Sequence, residues 1–304
     1  MQIYIPQELN VATSVEFYKE TLDRIKIKEP EIVVFRFEKL KFIEPAGMVT
    51  LTNLIELIDA EYPEISIRYT FPDGYKTDPF NRAFKAIDFL DDCLFFEKVM
   101  GEKIHPGSNE RRTTNGLEKL NAKSFNQQYI DHTIQWLKLN VGLKTKSFSF
   151  LGTALSEIFN NIIDHSGSPN GGCAFAQHYP SKNQINLCIA DSGMGIATRM
   201  KTRFTVDHQG NDLVSDADFI NFATHKKVST KTTPKNRGMG LNTLLHIIDN
   251  NKGSLQILSN EGSLRYNNGK KRLRDIDGYY KGTLIQISFR TDTLEEEEEE
   301  ELLW

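Results

Sequence analysis

The chain has 304 residues, with 37 Lys and Arg against 41 Asp and Glu, for a formal net charge of −4. A balance this near neutral gives no sign of a general nucleic-acid binder, which carries a strong basic excess, and 39% hydrophobic residues argue against wholesale disorder. The average hides a split: Glu295 to Glu301 is an unbroken run of glutamates, and the body without it carries a small positive surplus.

At roughly 100–200 residues per domain, the length suggests two domains. In residues 1–100, strand and helix patterns alternate. Met1 to Ile5 reads as a short strand, and Ala12 to Ile25 as a helix with Val15, Tyr18, Leu22 and Ile25 on one side. Ile32 to Phe37, IVVFRF, is a buried-strand run. Met48 to Ile58 has helical spacing, Ile65 to Tyr69 alternates like a strand, and Asn81 to Phe96 is helical again. Alternation of this kind predicts an α/β sandwich. Residues 101–146 read as a linker and a connecting helix, with the polar stretch 101–117 as loop and Asn126 to Leu139 as helix.

Residues 147–290 read as a second domain. Helix Phe148 to Asp164 leads to strands Cys173 to Tyr179 and Ile185 to Ala190. A long polar segment, helix Leu241 to Asn250 and strand Leu255 to Leu258 follow. Asn268-Gly269 marks a hairpin, and Thr283 to Phe289 is the last strand. Two strands in succession without a helix predict an α+β domain, a mixed sheet with helices collected on one face. Residues 291–304 form an acidic tail, read as a solvated charge run.

The cysteines, Cys93, Cys173 and Cys188, are odd in number and lack C-x-x-C spacing, which fits a reducing compartment and no thiolate zinc site. No apolar run approaches a membrane-spanning length, and MQIYIPQELN lacks a signal peptide's basic and apolar regions. The expectation is a soluble, cytoplasmic protein with neither membrane nor nucleic acid as partner.

Three pieces carry chemistry. In LGTALSEIFNNIIDH, Leu151, Leu155, Ile158 and Ile162 form a core stripe, while Glu157, Asn161 and His165 recur every four residues on another face, beside Asp164. A carboxylate there can act on a nucleophile, and a carboxamide oxygen suits Mg²⁺; the bland alternative is a solvated polar face. DSGMGI follows strand INLCIA directly. Asp191 can hydrogen-bond a base edge, and Gly193 and Gly195 suit close approach of a ligand before Ile196; the alternative is a plain strand-ending turn. In RGMGL, Arg237, Gly238, Met239, Gly240 and Leu241 open an apolar helix whose free N–H groups would face an anion, or form a glycine-rich entry with no ligand.

In this order, E-x-x-x-N, D-x-G-x-G-I and R-G-x-G-L resemble the nucleotide-binding boxes of the GHKL ATPases, the gyrase, heat-shock chaperone, histidine kinase and mismatch-repair class. The resemblance covers roughly residues 147–290 and implies ATP and Mg²⁺ as cofactors. It implies Asn161 as the Mg²⁺ ligand and Glu157 as the carboxylate that orients or activates the attacking hydroxyl or water. Asp191 would accept from the adenine amino group, with Gly193 and Gly195 admitting the ring. Gly238 and Gly240 would meet the phosphates, and Thr283 would support the adenine through water. The stretch from Ala197 to Asn236 would be the lid, where Lys226, Lys227, Lys231 and Lys235 are phosphate contacts or solvated cations. His165 matches a histidine of the anti-sigma-factor serine kinases and is either a site residue or a helix-end residue.

FIEPAGMVTL, residues 42–51, is similar to the core of STAS domains, with Glu44, Pro45, Ala46 and Gly47 between strand and helix. The position that takes phosphate in those domains is Ala46, which has no hydroxyl. His132 lies too close to Asn161 to be the phosphoacceptor of a histidine kinase, and its helix reads as a connector. The resemblances together imply an ATP- and Mg²⁺-binding regulatory protein, hydrolysing ATP or phosphorylating a protein Ser or Thr in a partner-switching pathway. The rival is a non-catalytic, nucleotide-gated interaction module. The expected partners are a protein bound through the STAS-like domain and a second copy of the chain.

Overall fold

The computed structural model describes residues 1–75, 84–120, 127–139, 141–143, 148–161, 167–168, 170–226, 228 and 240–295, with the backbone alone at 149, 150, 160, 161 and 240. The chain begins with β1 (Gln2–Tyr4), β2 (Glu8–Leu9), α1 (Val11–Lys28), β3 (Ile32–Arg36), β4 (Phe42–Ile43), α2 (Pro45–Glu61) and β5 (Ser66–Thr70). β1, β3 and β5 form a parallel sheet, and β2 pairs with β4. Asn10 caps α1 by accepting from the Ala12 and Thr13 N–H groups, satisfying donors that a helix start leaves free. Pro45 opens α2, where its missing N–H costs nothing. Gly47 is there because any Cβ would stand 2.2 Å from the Leu9 carbonyl oxygen, and Ala46 beside it is fully buried.

The helix expected over Asn81 to Phe96 is broken. Leu94 adopts φ 68° between α3 (Lys85–Asp92) and α4 (Phe95–Met100). The loop expected over 101–117 ends early, because β6 (Thr114–Leu120) is a strand. Its buried residues include Thr114 and Asn115, and Asn115 Nδ2 donates to Thr133 Oγ1 at 2.9 Å. Polar groups satisfied by hydrogen bonds can be buried without an apolar pattern to announce them.

The remaining elements are α5 (Gln127–Leu139), α6 (Ser149–Asn161), β7 (Gly172–Tyr179), β8 (Gln184–Asp191), α7 (Ile196–Lys201), α8 (Asp216–Ala223), α9 (Gly240–Asn250), β9 (Ser254–Asn267) and β10 (Lys270–Arg290). Asn268 and Gly269 both take positive φ between β9 and β10, as the expected hairpin turn requires. The sheet order is β6-β7-β8-β10-β9.

The α+β class is as expected, with two differences in detail. All four pairings of the large sheet are antiparallel rather than mixed. Helices also cover both faces instead of one. α5, α6 and α9 supply Tyr129, Trp136, Leu151, Leu155, Ile158, Leu244 and Ile248 to a core with Ala174, Ala176, Leu187, Ile189, Ile257 and Ile285. The alternate residues of the same strands, Cys173, Phe175, Cys188, Ala190, Leu258 and Leu284, share a second core with α1, α2 and the small sheet. Successive strand residues point to opposite faces, so a sheet buried on both sides reads as an unbroken apolar run, as LCIA does. α1 lies along β10, and α2 against β7 and β8. Among the described residues no helix is long and apolar enough to cross a membrane.

Candidate functional site

The α6 stripe is as the spacing requires: Leu151, Leu155 and Ile158 are buried. Glu157, on another side of the helix, is half-buried. Asn161 ends α6, with its side chain outside the described residues, as are Ile162, Asp164 and His165 altogether. Ser168 Oγ lies 3.2 Å from Ser192 Oγ in the strand-end turn of β8.

That turn is the best-defined part of the site. Asp191 ends β8 and lies across from Thr283 of β10 in the antiparallel register. Both residues are buried. Among the described residues the carboxylate has no cationic partner, and its hydrogen bond comes from the Gly193 N–H at 2.8 Å. Burial drives its pKa up to about 7, with the Gly193 bond opposing, because desolvation penalises the charged form.

Gly195 has φ 81°, and a Cβ there would stand 2.3 Å from Asn260 Oδ1 and 2.7 Å from Ser259 Oγ. The glycine therefore answers to its neighbours on β9, which sequence reasoning missed. Ser259 Oγ accepts from the Ile196 N–H at 2.8 Å and donates to the Gly282 carbonyl at 2.9 Å. It also stands 3.1 Å from Thr283 Oγ1. Asn260 Nδ2 donates to the Met194 carbonyl at 3.0 Å. Two adjacent side chains thus clasp the Met194–Ile196 end of the turn and tie it to Thr283. The sequence signal was small: Ser-Asn interrupting the apolar strand LQIL.

Gly282, with φ 91°, approaches from the other side. A Cβ on it would lie 2.0 Å from the Asp191 carbonyl oxygen. α6 and α9 pack side by side, and Gly240 and Leu241 open α9, with Leu241 buried. Asp191, Thr283 and Ser259 come together at one end of the β8–β10–β9 ladder, and α6, which carries Glu157, packs with α9 on the same core. Lys231, Arg237, Gly238 and Met239 lie outside the described residues.

The first part of the expected lid is packed structure. α7 and α8 build a small core of Ala197, Met200, Phe219 and Phe222 with Val228, and α8 lies on β9. Lys226 is exposed just after it. Among the described residues no group of three or more His, Cys, Asp or Glu side chains is arranged to hold a metal.

No protein-family model and no curated protein matches the chain. One solved structure it is similar to is the topoisomerase IV ATP-binding domain of Francisella tularensis in complex with a small-molecule inhibitor. The identity is 15%, the match covers 58% of this chain and 74% of that one, and the TM-score is 0.28.

Proposed function

We propose that residues 147–290 bind an adenine nucleotide in the manner of the GHKL ATPases. The observation that carries this reading is Asp191, a buried carboxylate without a cationic partner among the described residues, ending a strand in register with Thr283. A desolvated acceptor held by a rigid turn suits a neutral N–H donor such as the adenine amino group, and a buried polar group left without its partner is costly. The order of the three sequence boxes supports the same reading.

Within it, Asn161 would hold Mg²⁺, whose charge would offset that of the triphosphate. Glu157 would take the proton of an attacking hydroxyl. With a protein Ser or Thr as nucleophile, the γ-phosphoryl group leaves ATP for that oxygen and ADP is released. With water, the products are ADP and inorganic phosphate. Residues 1–100 would act as a STAS-like protein-interaction module, one without a phosphoacceptor because Ala46 occupies that position and is buried.

A second reading is a nucleotide-gated interaction module that performs no chemistry. The shared core between α1, α2 and the back of the large sheet favours it, since a change at the sheet is felt directly by those helices.

Calorimetric titration of the full chain with ATP, with and without Mg²⁺, tests the binding. Wild type is expected to bind and Asp191→Ala to lose at least tenfold in affinity, on the order of one charged hydrogen bond; equal affinities reject the reading.

A further inference from the structure

The segment behind Asp191 is gripped by the N-terminal helices. Tyr18 of α1 and Tyr280 of β10 are both fully buried and stack with ring centroids 4.6 Å apart and planes inclined by 22°. Tyr18 Oη donates to the Lys281 carbonyl at 3.3 Å. Lys281 Nζ pairs with the Glu61 carboxylate at the end of α2. Thr50 and Asn53 of α2 flank the Tyr280 hydroxyl.

The β9–β10 ladder shifts register on both sides of Tyr280, between Asp275 and Tyr280 and again between Tyr280 and Thr283. A bulged strand loses ladder hydrogen bonds locally, so residues 280–282 take their position from α1 and α2 as well as from β9. Gly282, the next residue but one, presses its backbone on the Asp191 carbonyl. The path from α1 to the base-reading carboxylate is therefore continuous: Tyr18 on Tyr280, then Gly282 on Asp191. The acidic residue also acts electrostatically on both phenols, adding to the burial that raises their pKa values.

We infer that Tyr18 and Tyr280 are positioning residues through which the N-terminal module sets the placement of the Asp191 carboxylate and hence the selectivity of the nucleotide site for a base bearing an amino group. The inference rests on the reading of Asp191 as the adenine acceptor. It makes the N-terminal module a regulator of the nucleotide site: whatever shifts α1 changes nucleotide affinity, and by linkage nucleotide binding changes affinity for whatever binds α1.

The test compares two ligands on the full chain, ATP and purine riboside triphosphate, which lacks the exocyclic amino group. Tyr18→Leu keeps apolar bulk and removes the ring; Tyr18→Phe keeps the stack. Tyr18→Leu is expected to weaken ATP binding about tenfold, a typical coupling, with purine riboside triphosphate changed less than about twofold and Tyr18→Phe close to wild type. Should Tyr18→Leu not fold, Lys281→Ala breaks the tie to Glu61 without opening a cavity and is expected to act in the same selective direction.

Equal losses for the two nucleotides, or no loss for either, in a variant of a discriminating wild type overturn the inference alone. A wild type that does not prefer ATP over purine riboside triphosphate overturns the reading of Asp191 itself, and the inference with it.

Discussion

Thr283 stands directly across from Asp191 in the β8–β10 ladder, and its hydroxyl lies 3.1 Å from Ser259 Oγ. Residues opposite each other in an antiparallel pair share a face, so the acid and the threonine converge on the same side of the sheet although they lie far apart in the chain. Ser259 has one proton, which goes to the Gly282 carbonyl. With the proton there, Ser259 accepts from the Ile196 N–H, and Thr283 is the donor in their 3.1 Å contact. Thr283 Oγ1 still has acceptor capacity for a bridging water. Ser259→Ala removes an acceptor and a donor from this junction at once. It is expected to lower ATP affinity several-fold and stability by about 1–3 kcal/mol, the cost of leaving buried groups unpaired. Titration and chemical denaturation of the same variant measure both, and an unchanged affinity would deny the clasp a role in the site.

The raised pKa of Asp191 gives stability and binding opposite pH dependences. Folded, the carboxyl titrates near 7; unfolded, near 3.9. Between those values the folded chain holds more protons than the unfolded one, so this residue's contribution makes stability fall as pH rises from about 4 to about 7, then level off. The size is on the order of a few kcal/mol. Affinity for ATP is expected to rise over the upper part of that window, because the ionised carboxylate is the better acceptor. Urea denaturation across pH 5–8 for wild type and Asp191→Asn isolates the effect, and the difference between the two proteins should grow towards alkaline pH in favour of Asp191→Asn. Parallel curves would show that Asp191 is ionised throughout.

Much of this arrangement was legible in the sequence because local chemistry set it. Ile32 to Arg36 is a strand in which branched and aromatic residues predominate, and α6 buries Leu151, Leu155 and Ile158 because they recur at helical spacing. Asp191 and Thr283 stand out from their local sequence, although nothing local makes their strands neighbours. What escaped was tertiary. Ser259 and Asn260 act on a turn some sixty residues away, and nothing in LQILSN says which turn. The strand Thr114–Leu120 buries Thr114 and Asn115 beside Leu117 and Leu120, and polar residues at buried positions leave no apolar periodicity. Coverage of the sheet's second face was hidden for a similar reason: CAFA and LCIA say that both faces are dry, and cannot say that α1 and α2 supply the cover.

The glycines offer a graded test of close approach. Gly210 and Gly282 both have positive φ, 85° and 91°, but a Cβ on Gly210 would meet nothing within 4 Å, whereas one on Gly282 would fall on the Asp191 carbonyl. Gly210→Ala carries only the left-handed backbone strain, about 1–2 kcal/mol. Gly282→Ala adds a clash with backbone that cannot swing away, so a larger loss of stability is expected, together with weaker ATP binding at temperatures where the variant remains folded. Equal melting temperatures for the two variants would remove the argument for a tight Gly282–Asp191 contact.

The last prediction concerns the two cores. Phe89 of α3 meets Phe175 of β7 edge-on, with centroids 6.2 Å apart, and Phe175 is fully buried in the core shared with α1 and α2. Its neighbours Ala174 and Ala176 face the other core. One strand therefore contributes to both, and loss of either core exposes β7. Phe175→Ala is expected to cost about 3–5 kcal/mol, the usual range for removing a buried phenylalanine. The two halves are expected to unfold together, because the N-terminal helices cannot leave without uncovering a face of the large sheet. Calorimetry should record a single transition in wild type and in Phe175→Ala, shifted to lower temperature in the variant. Two separate transitions in wild type would mean that the shared face contributes little to holding the halves together, and the route from Tyr18 to Asp191 would then have no rigid support.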